Sequence, residues 1–151
     1  MPIPPFRDDG WLPEGHHAAT WNEIADALGG EPGSVRASVL AGLLAWRDAV
    51  RAKGLSGLVI LDGSFVSAKP TPGDFDLLFL YDDASEAVTV QDAEAAALVD
   101  SAKCKARFGG DVFGFGATLA RLAPYLVPRD TFDFIKVTKL PKGVLEVQIN
   151  D

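Results

Sequence analysis

Leu58-Val-Ile-Leu61 runs into Asp62-Gly63-Ser64, and after nine intervening residues comes Asp74-Phe75-Asp76-Leu77-Leu78-Phe79. The reading of this chain turns on that stretch. Residues 58–61 form a short apolar run bounded by glycines, as a buried strand does, and residues 75–81 form a second run. Side chains alternate along a strand, so Asp74 and Asp76 emerge on the same side. Two neighbouring carboxylates on an apolar strand repel each other and lose hydration, a combination that calls for a cation between them. Mg²⁺ suits such a pair, because it takes one or two protein carboxylates and fills its other positions with water and phosphate oxygens. Gly63-Ser64 follows the first strand and opens a short helical turn reaching about Ala68. The free N–H groups of such a turn attract anions, and glycine lets a phosphate come close. The Ser64 hydroxyl adds a donor, and Lys69 at the far end of the turn offers a point charge. Gly63, Ser64 and Lys69 are thus candidates for nucleotide binding, and Asp74 and Asp76 for metal binding and catalysis. The plain alternatives are a turn aspartate after Pro70-Thr-Pro-Gly73, a helix cap at Ser64 and a solvated Lys69.

Outward from this centre, Thr20-Trp-Asn-Glu23 has capping-box spacing and predicts a short helix to about Leu28. Pro32 suits the first turn of a second helix over residues 33–53, where Val35, Val39, Leu43, Trp46 and Val50 line one face and Gly54 stops it. Residues 1–19, with four prolines, read as an extended N-terminal arm, and residues 20–151 as a single domain. Asp82-Asp83 reads as a solvated strand end. Residues 91–107 predict one Ala-rich helix, Asp111 to Phe115 a strand, and Thr118 to Leu126 a helix ended by Pro128. Residues 132–138 and 144–149 alternate as strands, joined by a hairpin turn at Pro141-Lys-Gly143. The expected architecture is α+β, a small mixed sheet of four or five strands flanked by helices.

Gly63-Ser64, nine residues and Asp74-Phe75-Asp76-Leu77 resemble the mark of the DNA polymerase beta-type nucleotidyltransferase superfamily, with Asp62 standing where that mark has a hydrophobic residue. More narrowly, the chain is similar to an uncharacterised bacterial nucleotidyltransferase-like family. The residues that carry this likeness are Leu12-Pro-Glu-Gly-His-His17, Ala19-Thr20, Glu23, the block from Gly63 to Lys69, and Lys142-Gly-Val144. The resemblance implies the nucleotidyltransferase fold, Mg²⁺ (or Mn²⁺) and a nucleoside triphosphate; it does not imply a known acceptor, for which a protein or an RNA are the candidates. It also implies a third carboxylate on a later strand that helps hold metal or takes the acceptor's proton. Asp111 is the first choice, completing the catalytic and metal set, and Asp133 the second. If Asp111 belongs there, its oxygens should lie within about 5 Å of those of Asp74 or Asp76, a span one cation can bridge. The rival expectation is a catalytically inactive protein of the same fold that binds or regulates a partner, as an antitoxin does.

Fourteen basic and twenty-one acidic residues give a net charge of −7, which argues against non-specific binding to DNA. The acidity is uneven: residues 1–100 carry −10 and residues 101–151 carry +3. Arg129, Lys136, Lys139 and Lys142 read as a solvated basic edge, or as a wall facing polyphosphate. A metal role for His16-His17 is not expected, although His17 on the arm is a candidate neighbour of the nucleotide. One cysteine, Cys104, excludes an intramolecular disulfide and reads as a small core residue. The N-terminus lacks an apolar signal-peptide core, and no run approaches the ~18 apolar residues of a membrane span. The expectation is a cytoplasmic protein without a membrane segment.

Overall fold

A computed structural model of the chain describes residues 3–116 and 142–151. The order of elements is β1 (Gly15–Ala18), α1 (Trp21–Leu28), α2 (Val35–Ala52), β2 (Gly57–Asp62), a 3₁₀ turn (Ser64–Val66), β3 (Phe75–Tyr81), α3 (Asp83–Gln91), α4 (Ala93–Ala97), α5 (Ser101–Phe108), β4 (Gly110–Phe115) and β5 (Gly143–Gln148). The described strands make one sheet in the order β1-β5-β2-β3-β4. It is mixed: β2 runs antiparallel to β3 and β5, while β3–β4 and β1–β5 are parallel. The architecture is α+β, a five-stranded mixed sheet flanked by helices.

Local chemistry sets the helix ends. Thr20 and Glu23 form the reciprocal capping box that their spacing predicts. The second helix starts later than expected, because the Ser34 side chain accepts from Ala37 N and so places the N-cap two residues beyond Pro32. Gly54, at φ 71°, ends it. Val39, Leu43, Trp46 and Val50 face the core, where they join Phe75, Leu77 and Phe79 from alternate positions of β3. Trp46 meets Phe79 edge to face at 5.3 Å between ring centroids.

Several expectations need correction or completion. The end of the N-terminal arm is a strand: Gly15–Ala18 pairs in parallel with β5 from Gly143 to Glu146. An extended, proline-rich approach delivers the chain to a strand edge that needs a partner. Asp82 is exposed directly after β3, as expected, but it is also the N-cap of a helix that no sequence pattern predicted, α3. The single Ala-rich helix is two, because Asp92 and Asp100 each turn a side chain back to cap the residues that follow. The break frees the Leu98 carbonyl, which accepts from the buried Trp46 indole at 2.9 Å. Finally, β5, expected as one arm of a hairpin, pairs among the described residues with β1 and β2. The helix expected at Thr118 to Leu126, the strand at 132–138, and Asp133, Arg129, Lys136 and Lys139 lie outside the described residues.

Candidate metal centre

Alternation along β3 sends Phe75, Leu77 and Phe79 into the core and leaves Asp76 on the opposite face. Register extends this across the sheet. Asp62 of β2 is paired with Asp76 of β3, and Asp76 with Asp111 of β4, so three acids occupy one row across three adjacent strands. Asp74 precedes Asp76 by two residues, at the mouth of β3. One carboxylate oxygen from each of Asp74, Asp76 and Asp111 lies within 4.8 Å of the others, and all three residues are half-buried. Asp111 is therefore at the distance from the first two that a shared cation requires.

Asp62 does not join this set. It is 9% exposed and forms an ion pair with Lys142, itself 4% exposed. The Lys142 ammonium also lies 5.1 Å from the centre of the Trp11 ring. Burial pulls Lys142 down to about 8, while the adjoining carboxylate of Asp62 opposes that loss of the proton. The expectation of a solvated Lys142 is thus corrected: the residue just before β5 is folded under the arm against Asp62. The Asp62 carboxylate is thus committed to the Lys142 ammonium rather than to the cluster of Asp74, Asp76 and Asp111.

Gly63 links the two halves of the motif. Its φ is 82°, and a Cβ there would collide with the Asp76 carboxyl group. The glycine is required for the close passage of the loop over Asp76, quite apart from any phosphate. The Ser64–Val66 turn follows, with Phe65 and Val66 buried as its anchor. Arg36 of α2 braces this loop, donating to the carbonyls of Phe65 (2.9 Å), Ser67 and Lys69 (2.7 Å), and to Leu28 at the end of α1 (3.2 Å). Arg36 is not on the apolar stripe of α2 that Val39, Leu43, Trp46 and Val50 form. Its position, second in α2, carried no signal that it would reach four carbonyls.

The lysine at the carboxylates is Lys105, from α5. Its ammonium lies 3.2 Å from Asp74 Oδ2 and 3.4 Å from Asp111 Oδ2. Those two carboxylates push its pKa up, Asp74 most of all through its hydrogen bond. Ser101, one turn earlier in the same helix, donates to Asp111 Oδ1 at 3.1 Å. Helix α5 thus supplies a partner to each oxygen of Asp111. Neither Ser101 nor Lys105 was singled out from the sequence. The usable signal was their i, i+4 spacing on a helix that turns directly into the Asp111 strand. Lys69 is exposed at the far end of the loop, and its backbone carbonyl is what Arg36 holds. His17 lies on β1, at the other edge of the sheet, with Nε2 2.7 Å from the Pro13 carbonyl oxygen. Cys104 is buried, and desolvation pushes its thiol up to about 11, as befits a core residue.

Three carboxylates, Asp76 and Asp111 from adjacent strands and Asp74 from just before β3, are a hard oxygen donor set. The ammonium already drawn between Asp74 and Asp111 stands in for the positive charge such a set attracts. The residues present therefore fit a divalent cation. No helix among the described residues is long and apolar enough to cross a membrane. Residues 4–148 match the model of a family of unknown function, DUF6932. No curated protein and no solved structure matches the chain.

Proposed function

The chain belongs to the DUF6932 family, and we propose that it is a Mg²⁺-dependent nucleotidyltransferase of the DNA polymerase beta type, moving a nucleoside monophosphate from a nucleoside triphosphate to an acceptor hydroxyl on protein or RNA. The observation that carries this reading is the convergence of Asp74, Asp76 and Asp111 within 4.8 Å, with Gly63 lying against Asp76. A five-stranded mixed sheet flanked by helices is compatible with the nucleotidyltransferase fold.

In this reading Asp74, Asp76 and Asp111 hold the ion, which when bound supplies neutralising charge for the phosphoryl oxygens. Gly63 and Ser64 receive the triphosphate at the start of the 3₁₀ turn, and Arg36 keeps that loop rigid by tying up its carbonyls. The exposed Lys69 is available to the outer phosphates. Asp111 takes the proton of the acceptor hydroxyl. The acceptor oxygen bonds to the α-phosphorus, the bond to the bridging oxygen breaks, and pyrophosphate leaves.

Incubation of the pure protein with Mg²⁺ and α-labelled nucleoside triphosphates tests the proposal. Label should transfer to protein or added RNA, and Asp74→Ala with Asp76→Ala should reduce the transfer by about a hundredfold or more. Equal labelling by wild type and double variant would sink the reading. One observation favours a second reading, a binding or regulatory protein that has kept the fold without catalysis: Lys105 already supplies positive charge to two of the three carboxylates. That reading expects no Mg²⁺-dependent rise in melting temperature with any nucleoside triphosphate.

A further inference from the structure

Lys105 is rooted in the last turn of α5, and its side chain is 56% exposed. It reaches back to Asp74 Oδ2 and Asp111 Oδ2, one at the mouth of β3 and one within β4. Mg²⁺ binds oxygen at about 2.0–2.1 Å, so an ion held by these carboxylates would occupy the space the ammonium now commands. Two cations confined there would repel each other. The lysine is the partner able to leave. An exposed ammonium on a flexible four-carbon stem gains little from its ion pairs and returns to water readily.

We propose that Lys105 is an internal counter-ion that holds Asp74 and Asp111 together in the metal-free protein and is displaced when a divalent cation binds, so that the centre is loaded by exchange. This rests on the reading of Asp74, Asp76 and Asp111 as a metal set. It has two consequences. Before loading, the lysine suppresses repulsion among the three carboxylates, so they wait in ligand geometry rather than splaying into solvent. On loading, the metal must overcome the lysine, so the measured metal affinity is weaker than the carboxylates alone would give. Ser101 remains on Asp111 Oδ1 in both states and keeps that carboxylate oriented.

The test is Mn²⁺ titration followed by electron paramagnetic resonance of the free ion, on wild type, Lys105→Met and Lys105→Gln, with Asp111→Asn as the ligand control. Both lysine variants should bind Mn²⁺ about fivefold more tightly than wild type, the factor expected for removing an exposed competing ion pair. Without metal they should melt below wild type, and saturating Mn²⁺ should raise their melting temperatures more than it raises that of wild type. Asp111→Asn should weaken binding in every background. Equal or weaker Mn²⁺ binding by both lysine variants, with the Asp111→Asn effect intact, overturns the exchange and leaves the metal set standing. Absence of saturable binding in all proteins, or indifference to Asp111→Asn, overturns the metal set and the exchange with it.

Discussion

Asp62 and Lys142 show how one residue's environment inverts its apparent role. By sequence, Asp62 was an odd acid before a glycine and Lys142 one of several basic residues near the C-terminus. In the structure each neutralises the other, and Trp11 covers the ammonium. Breaking a buried ion pair from one side leaves an unpaired charge, whereas replacing both partners with apolar residues of similar size is often close to neutral. Asp62→Leu and Lys142→Met should therefore each lower unfolding stability by about 3–5 kcal/mol, while the double variant should recover most of that loss. Urea unfolding of the four proteins measures it, and simple addition of the two losses would show that the residues act separately. At this scale the candidate site was partly legible. Asp74, Asp76 and Gly63 could be picked from spacing, because strand alternation and positive φ leave marks in sequence. Lys105, Ser101 and Arg36 could not, because their roles depend on which helix the fold lays beside which loop.

At the scale of elements, a helix was missed where polar capping rather than an apolar stripe holds it. Helix α3 contains Val88-Thr89-Val90, a β-branched run that disfavours helix, and Val90 is 80% exposed. Its start is fixed by Asp82, whose Oδ1 accepts from Ser85 N at 2.8 Å and whose Oδ2 accepts from Ser56 Oγ at 2.7 Å. The side chains of Ser85 and Ser56, with the Ser85 backbone, hold the Asp82 carboxyl below its ordinary 3.8. Asp82→Ala should cost about 1 kcal/mol at neutral pH, the usual loss for an N-cap. Because the folded-state pKa is depressed, this contribution is present above the unfolded value and fades as pH falls through the folded one. The gap in stability between wild type and Asp82→Ala should thus shrink below about pH 4, and chemical denaturation at pH 7 and pH 3 would reveal it. A gap that is constant with pH would assign the effect to helix propensity instead. Helix α1, marked by its capping box, and α2, marked by its apolar stripe, were legible to within two residues. The Ala-rich segment was not, since alanine favours helix everywhere and leaves the break to the capping aspartates.

For the whole molecule, the sheet ties together segments far apart in sequence. The first described residues are part of its construction: Leu12 is fully buried, its carbonyl accepts from Gly143 N at 3.0 Å, and Gly10 O accepts from Ala68 N at 2.8 Å. Trp11 makes an isolated bridge with Ser67. Deleting residues 1–19 removes β1 from the β5 edge and uncovers Lys142. Burial of Leu12 alone is worth about 2 kcal/mol, so the truncated chain should melt well below the full one or fail to fold. Circular dichroism melting decides it, and coincident curves would make the arm expendable. The α+β class and the two central strands were legible because their apolar runs are continuous. The strand order was not, since the parallel β1–β5 pair joins segments that no local pattern connects.

The row of acids across β2, β3 and β4 has a consequence for folding fidelity as well as for chemistry. A slip of β3 by one residue would turn Asp74 and Asp76 toward the side now filled by Phe75, Leu77 and Phe79, where Trp46 packs. Carboxylates driven into that layer would be stranded without water or partner, at a cost comparable to the net stability of a domain. The same side chains that gather positive charge on one face therefore act as proofreaders of sheet assembly, making the misaligned chain too unstable to persist.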